Sequence, residues 1–293
     1  VGIPSYNEAA TIAFPTEQAA KGLKQYFAHL DTVVINCDNN STDGTCEAFL
    51  NADTLDVPKI YISTPEGIKG KGHNFRNLFK KALELEAKAI VVIDSDLKSV
   101  TPTWIKNLGE PLFKDFGYVA PLYMRHKYED TLNSIIVYPL TRSLYGRRVK
   151  QPMGGDFGFS RAMINTFLKN GMWNEEIAQY GIDIWMTTLA MNEGVPICQA
   201  FLGRPKIHRT RDTILDPGLL FRQVVTTIFA LMETYHDKWV GTKWSKPTAI
   251  FGFGSEEPQM PAPIEVNRDR LYQRFKSGFT DYWESYRTIC STE

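Results

Sequence analysis

The run Ala89-Ile90-Val91-Val92-Ile93 passes directly into Asp94-Ser95-Asp96. A short, mostly β-branched apolar run of this kind reads as a buried strand of a parallel sheet. Open α/β sheets place their ligands at the carboxyl ends of such strands. If the chain stays extended, Asp94 and Asp96 point the same way, with Ser95 between them. Two carboxylates so placed suit a hard divalent cation, which in turn holds phosphates. A nucleotide-diphosphate compound is therefore the first ligand class to consider. The plain alternative is a solvated turn, and the rest of the chain decides between them.

Strand and helix signals alternate around this run. Val33-Val34-Ile35 reads as a strand, followed by the polar turn 38–44 and a helix over about 45–50. Lys59-Ile60-Tyr61-Ile62 is a second short strand. Phe75, Leu78, Phe79, Ala82 and Leu83 recur at helical spacing within 74–86. This βαβαβ rhythm predicts an α/β fold with a mostly parallel sheet flanked by helices. Beyond residue 97 the pattern loosens. Strands are expected over 118–120 and 197–202, and helices over 161–169 and 183–192. A further helix, over 132–145, is interrupted near Pro139. The Gly-rich segment 152–158 cannot be a regular helix. The division expected is a catalytic unit over 1–216, with a nucleotide half (1–96) and an acceptor half (97–216), then a helical C-terminal extension over 217–293.

Composition closes off several functions. Lys plus Arg and Asp plus Glu both number 33, so no net field favours nucleic acid or an anionic membrane. No apolar stretch approaches the ~20 residues that span a bilayer. Cys37, Cys46, Cys198 and Cys290 have neither zinc-site nor disulfide-framework spacing, so a reducing, cytoplasmic setting is expected. The chain opens at Val1 on an apolar strand that reads as cut short, and residues are expected ahead of it.

Polar clusters punctuate the strand ends. Pro4-Ser5-Tyr6-Asn7-Glu8 follows the first strand and suits a nucleoside, or is an ordinary helix-entry loop. Asp38 is the first polar residue after its strand and suits a base or ribose, while its neighbours through Thr45 favour Asx turns and a helix cap. Gly67-Ile68-Lys69-Gly70-Lys71-Gly72 opens a helix whose N-terminus, with Lys69 and Lys71, suits a diphosphate; it is not a Walker-type loop. Arg147-Arg148-Val149-Lys150 is either a solvated face or a grip on an anionic acceptor. Asp183 is a helix-start charge, a contact to hydroxyls, or a base. His208 is a surface histidine or a nitrogen ligand for a metal such as Mn²⁺.

In this order the segments resemble the nucleotide-sugar glycosyltransferases of the GT-A fold, and within them the glucosyl-3-phosphoglycerate synthases and the retaining mannosylglycerate synthases. The likeness covers residues 1–211. Pro4 to Ile12 is similar to the family's P-x-x-N-E-x-x-T-I, and Asn40 to Thr45 to its N-S-T-D-G-T. Gly70-Lys71-Gly72 is similar to G-K-G, Asp94-Ser95-Asp96 to D-S-D, Pro152 to Asp156 to P-L-A-G-E, and Gly181-Ile182-Asp183 to G-V-E. Asp156 and Asp183 stand where the family has glutamates, and Met153-Gly154 where it has Leu-Ala. These departures fall in the sugar- and acceptor-facing half.

The resemblance implies a metal-dependent retaining hexosyltransferase acting from a UDP- or GDP-sugar on a small anionic acceptor such as 3-phosphoglycerate or glycerate. Pro4, Tyr6, Asn7, Glu8, Asp38, Asn39, Lys71, Asp94 and Ser95 would bind the nucleotide-sugar. Asp96 and His208, with Asp94, would hold Mg²⁺ or Mn²⁺. Asp183 and Asp156, in a catalytic set with Gly154 and Gly155, would orient sugar hydroxyls, and Arg147, Arg148, Met153 and the 153–156 backbone would hold the acceptor. An inverting enzyme with Asp183 as base, acting on a polyprenyl phosphate or another acceptor, and a non-catalytic nucleotide-sugar binding protein are the alternatives. Neither nucleic acid nor an integral membrane segment is expected. The Pro-rich segment 246–263 is expected over the site or against a second copy, which leaves a homodimer open.

Overall fold

The computed structural model describes residues 1–208, 217–255 and 257–289. The boundary expected at residue 216 lies outside the described residues. The first half runs β1 (Gly2–Ser5), α1 (Ala13–Tyr26), β2 (Val34–Asp38), α2 (Thr45–Asn51), β3 (Lys59–Ser63), α3 (Lys71–Glu84) and β4 (Ala89–Val92). The second runs α4 (Pro102–Gly109), β5 (Tyr118–Leu122), α5 (Tyr138–Tyr145), β6 (Phe157–Ser160), α6 (Arg161–Lys169), α7 (Glu175–Ala178), α8 (Ile182–Asn192) and β7 (Ile197–Phe201). Then come α9 (Pro217–Thr234), α10 (His236–Val240), β8 (Ala249–Phe251) and α11 (Arg268–Ile289).

The strands form one sheet in the order β3-β2-β1-β4-β6-β5-β7-β8. All pairings are parallel except those of β6, which is antiparallel to β4 and to β5. Helices cover both faces. Phe75, Phe79, Phe159, Phe167 and Trp185 pack on the α3, α6 and α8 side. Ile3, Ile93, Trp104, Ile105 and Leu108 pack on the α1 and α4 side. Coverage on both faces is why β4 is apolar at every position.

Strand order reverses direction between β1 and β4, the place where open α/β sheets form a crevice. Pro4 helps open it. Gly2 carbonyl accepts from Ile93 N–H on the β4 side, and Pro4, two residues on, faces the same way with no N–H to offer. The β1–β4 pairing accordingly stops at Gly2 opposite Val92.

One local feature departs from the pattern read in the sequence, and two others agree with it. The Gly-rich segment ends in the unforeseen strand β6, whose Phe157 and Phe159 enter the core while Gly158 lets the α4 backbone approach. Helix α3 starts at Lys71, inside the Gly-rich opening expected for it, where Gly70 and Gly72 let its first turn press against the backbone of Ile177 and Ala178. Before α5 lies a π-turn over Asn133–Val137, in which Tyr138 N–H reaches back to Asn133 carbonyl. Pro139 has no N–H for the normal ladder, and the wider turn absorbs the gap.

The residues after 217 share this core. Val224 and Ile228 of α9 pack with Val137 and Ile184, and β8 extends the sheet beside β7. Along 246–263, Phe253 stacks on Phe201 and Gln259 N–H donates to Gly203 carbonyl. That segment therefore lies along the chain's own edge. Helix α11 buries no residue. Among the described residues no helix is long and apolar enough to cross a membrane.

Candidate active site

The carboxyl ends of β1 and β2 are tied together by short polar side chains. Asp38 is fully buried and accepts from Ser5 Oγ (2.7 Å), Ser41 N–H (2.6 Å), Ser41 Oγ (2.6 Å) and Tyr61 hydroxyl (3.0 Å). Four donors fill a carboxylate's acceptor positions, so Asp38 shapes the loop and does not offer itself to a base or ribose. Asn7 adopts φ 53°, with its N–H on Ser41 Oγ and its Oδ1 accepting from Thr42 N–H. Glu8 is buried, and its Oε2 accepts from Thr11 Oγ1. Asn39 is buried with its Oδ1 unpartnered among the described residues. Tyr6 remains 44% exposed beside the crevice, and Lys69 Nζ donates to its hydroxyl (2.9 Å).

Deeper in, lysines and aspartates alternate. Lys71 Nζ lies 3.1 Å from Asp183 Oδ2 and 3.2 Å from Asp94 Oδ1. Lys206 Nζ lies 2.7 Å from Asp94 Oδ2, 2.9 Å from Asp156 Oδ2 and 2.7 Å from Gly154 carbonyl oxygen. Asp156 is fully buried; its Oδ1 accepts from Asp94 N–H (2.8 Å) and its Oδ2 from Tyr123 hydroxyl. The structure thus uses the Asp156 carboxylate inside the protein, which corrects the expectation that it faces sugar hydroxyls. Lys206 and Tyr123 were not singled out in the sequence. A signal was available, because in an extended segment Lys206 and His208 share one side.

The electrostatics follow from this chain of charges. Burial alone would raise the Asp94 carboxyl, but the Lys206 and Lys71 ammoniums outweigh it and hold it well below the usual range. Burial alone would lower both ammoniums. Asp183 and Asp94 hold Lys71 above its ordinary value, and Asp156 and Asp94 do the same for Lys206. Asp183 goes the other way: burial raises its carboxyl and Lys71 only partly offsets this. Its Oδ1 is buried with no hydrogen-bond partner among the described residues.

Ser95 and Asp96 form a turn instead of continuing the strand. Leu97 then pairs with His208 in an isolated antiparallel bridge, and Lys98 N–H donates to Ile207 carbonyl (2.8 Å). This turn separates the two carboxylates expected to point together. Asp96 Oδ1 lies 2.9 Å from His208 Nδ1, whereas Asp94 is engaged by the lysines. Of the three expected metal ligands the structure brings two together. Among the described residues no third acidic, histidine or cysteine side chain completes a group with them. The site still suits a cation. Among the described residues, the carboxylates of Asp94, Asp156 and Asp183 outnumber the ammoniums of Lys71 and Lys206 that pair with them, and Asp96 lies beside them with His208. A carboxylate with a neutral imidazole is a fitting donor pair for Mn²⁺.

The Gly-rich loop closes the site from β6. Gly155 has φ 86°, and a Cβ there would sit 2.5 Å from Asp94 Oδ2 and 2.7 Å from Lys206 Nζ. Both groups are pinned, so Gly155→Ala is expected to lower stability by about 1–3 kcal/mol. Thermal denaturation would read this, and an unchanged melting temperature would show that the loop yields. Met153 packs with Val137 and Ile184. Arg147 and Arg148 are elsewhere. Arg147 lines a cleft with Met191 and Asn192 at the far end of α8 from Asp183, about 12 Å away at 1.5 Å per residue. The acceptor grip expected from them is thus corrected. Among the described residues, Arg125 brings a guanidinium beside the site, stacked 5.2 Å over the Tyr123 ring and 3.8 Å from Asp130 Oδ2.

The pattern of glycosyl transferase family 2 matches residues 1–171. The chain belongs to that family. Mannosylglycerate synthase of Rhodothermus marinus is 24% identical over 182 residues, which is 59% of this chain and 43% of the relative. Glucosyl-3-phosphoglycerate synthase of Petrotoga mobilis is 26% identical over 165 residues, 53% of this chain and 42% of the relative. The chain thus matches less than half the length of these curated family members. Glucosyl-3-phosphoglycerate synthase from Mycobacterium tuberculosis, solved with Mg²⁺ and UDP, superposes with a TM-score of 0.59 at 21% identity, over 78% of this chain and 77% of that one. The same enzyme with Mn²⁺, UDP-glucose and phosphoglyceric acid gives a TM-score of 0.58 at 21% identity, over 79% and 78%. These superpositions show the shared GT-A fold.

Proposed function

We propose that this chain is a metal-dependent hexosyltransferase that moves a sugar from a UDP- or GDP-sugar to a small anionic acceptor, 3-phosphoglycerate or glycerate, with retention of configuration. The observation that carries the reading is the Asp96–His208 pair set beside the Lys71–Asp94–Lys206 chain at the end of β4. The named activities of the relatives and the ligands of the superposed enzyme support the same choice.

In this reading the nucleoside lies in the β1–β4 crevice along Tyr6, Asn7 and Asn39, with Lys71 and Ser95 toward the diphosphate. Asp96 and His208 would hold Mg²⁺ or Mn²⁺. Bound there, the ion supplies charge neutralisation for the departing diphosphate. Asp183 offers its unpartnered Oδ1 to a sugar hydroxyl. Arg125 takes the acceptor's anionic group in place of Arg147 and Arg148. The departing phosphate oxygen accepts the acceptor proton on the face it leaves, so retention needs no protein base. A cytoplasmic setting belongs to the reading, supported by the free thiols Cys37 and Cys198.

A thermal-shift panel tests the donor and acceptor. UDP- and GDP-sugars are added with Mn²⁺, then with 3-phosphoglycerate or D-glycerate; the cognate pair raises stability by about 2.7 kcal/mol at 100 times its Kd. No shift with any nucleotide-sugar would sink the reading. NMR of the product tests stereochemistry: an α-linked product from an α-linked donor is expected. A β-linked product would instead favour inversion with Asp183 as base, a reading its raised carboxyl and open Oδ1 support.

A further inference from the structure

The run Arg147-Arg148-Val149-Lys150 has no part in the pocket described above. The chain passes it along the strip 242–246. Arg148 N–H donates to Lys246 carbonyl (3.2 Å), and Lys246 N–H donates to Gly146 carbonyl (2.9 Å). From that strip Ser245 Oγ accepts from two guanidiniums, Arg142 Nε (3.2 Å) and Arg148 Nε (3.1 Å). Trp244, 71% exposed, lines two clefts of about 390 and 260 Å³. Arg142 and Lys243 line the larger; Arg147, Lys238, Lys243 and Lys246 line the smaller.

Among the described residues no Asp or Glu side chain lines either cleft. None of Arg142, Arg147, Arg148, Lys238, Lys243 and Lys246 forms an ion pair with a described residue. Glu193, next to Asn192, accepts from Tyr235 hydroxyl. The formal net charge of the whole chain is zero, so this concentration of positive charge is local. Two guanidiniums sharing one hydroxyl repel one another until an anion joins them. With Nε engaged, each still offers its Nη donors in the fork that fits phosphate. Tyr145 also lines the smaller cleft, and its buried hydroxyl has no hydrogen-bond partner among the described residues.

We propose that the clefts beside Trp244 form a second anion site, separate from the transferase pocket, that takes a free phosphomonoester. Such a group brings close to two negative charges at neutral pH and three acceptor oxygens. Arg142 meets those oxygens in the larger cleft, with Arg148 beside it through the shared Ser245, and Lys243, which lines both clefts, neutralises the remaining charge.

The test is titration of the whole chain with inorganic phosphate at constant ionic strength, read by thermal shift, with UDP plus Mn²⁺ as a separate arm. Wild type should respond saturably. Arg142→Gln/Arg148→Gln should weaken the phosphate response at least 10-fold and leave the UDP-Mn²⁺ response unchanged. Should the arginine pair prove needed for folding, Lys243→Gln replaces it, because Lys243 makes no hydrogen bond or ion pair with a described residue; it should weaken phosphate binding several-fold. An undiminished response in both variants overturns the proposal, as does a wild-type response no larger than that to chloride. Binding to phosphatidic acid vesicles without any response to free phosphate also overturns it, making the surface a membrane contact.

Discussion

Lys206→Met should lower the melting temperature by on the order of 10 °C, because it leaves Asp94 and Asp156 buried without their shared counter-charge. Removing one partner of a buried ion pair costs about 3–5 kcal/mol, and a domain of 150–250 residues shifts by about 2–4 °C per kcal/mol. The pH dependence carries a sign that a general packing defect would not. Asp94 has a lowered folded pKa, so its stabilisation is present above the unfolded value of about 3.9 and fades as pH falls below it. Lys206 has a raised folded pKa, so its stabilisation is complete below about 10.4 and fades as pH rises through the folded value. The gap between wild type and variant should therefore be widest at neutral pH and narrow in acid. Adding Asp156→Asn to Lys206→Met should restore part of the loss, since the pair is coupled. A variant melting within about 2 °C of wild type would refute this account of the site.

Asp96→Asn is expected to abolish transfer while sparing the fold. Loss of a group that only supports a metal ligand weakens affinity by about 10–100-fold, so loss of the proposed ligand itself should cost at least about 100-fold. The amide keeps the shape and a bond to His208, so stability should change by only about 1 kcal/mol. Mn²⁺ titration followed by electron paramagnetic resonance, with UDP release as the activity readout, separates the two effects. Wild-type Mn²⁺ affinity in this variant would exclude Asp96 as ligand.

The strands and helices around β4 were legible because their cues are local: an apolar run, a helical spacing, a polar loop at each strand end. Features that depend on distant partners carry no such local cue. Asp94 and Asp96 part company because Leu97 pairs with His208, and no cue within 94–96 announces that. Strand β6 hides behind a Gly-rich stretch, and its direction is set only by its neighbours. Arg147 and Arg148 sit beside Gly154 in the chain, yet their position is decided by residues 244–246. Lys206 was within reach. Its two-residue spacing from His208 carried the information, but a lysine flanked by Pro205 and Ile207 draws less notice than the histidine.

The reversed strand β6 also bears on how a ligand enters. Four residue pairs, from Ala89 opposite Ser160 to Val92 opposite Phe157, join β4 to β6. Asp94 and Asp156 emerge from the same end of that ladder. A clamshell opening between the two halves of the fold would have to tear this seam and expose its buried amides and phenylalanines. The pocket wall is therefore a single rigid plate. A ligand thus enters over the crevice edge where Tyr6 stays exposed, without parting β4 from β6.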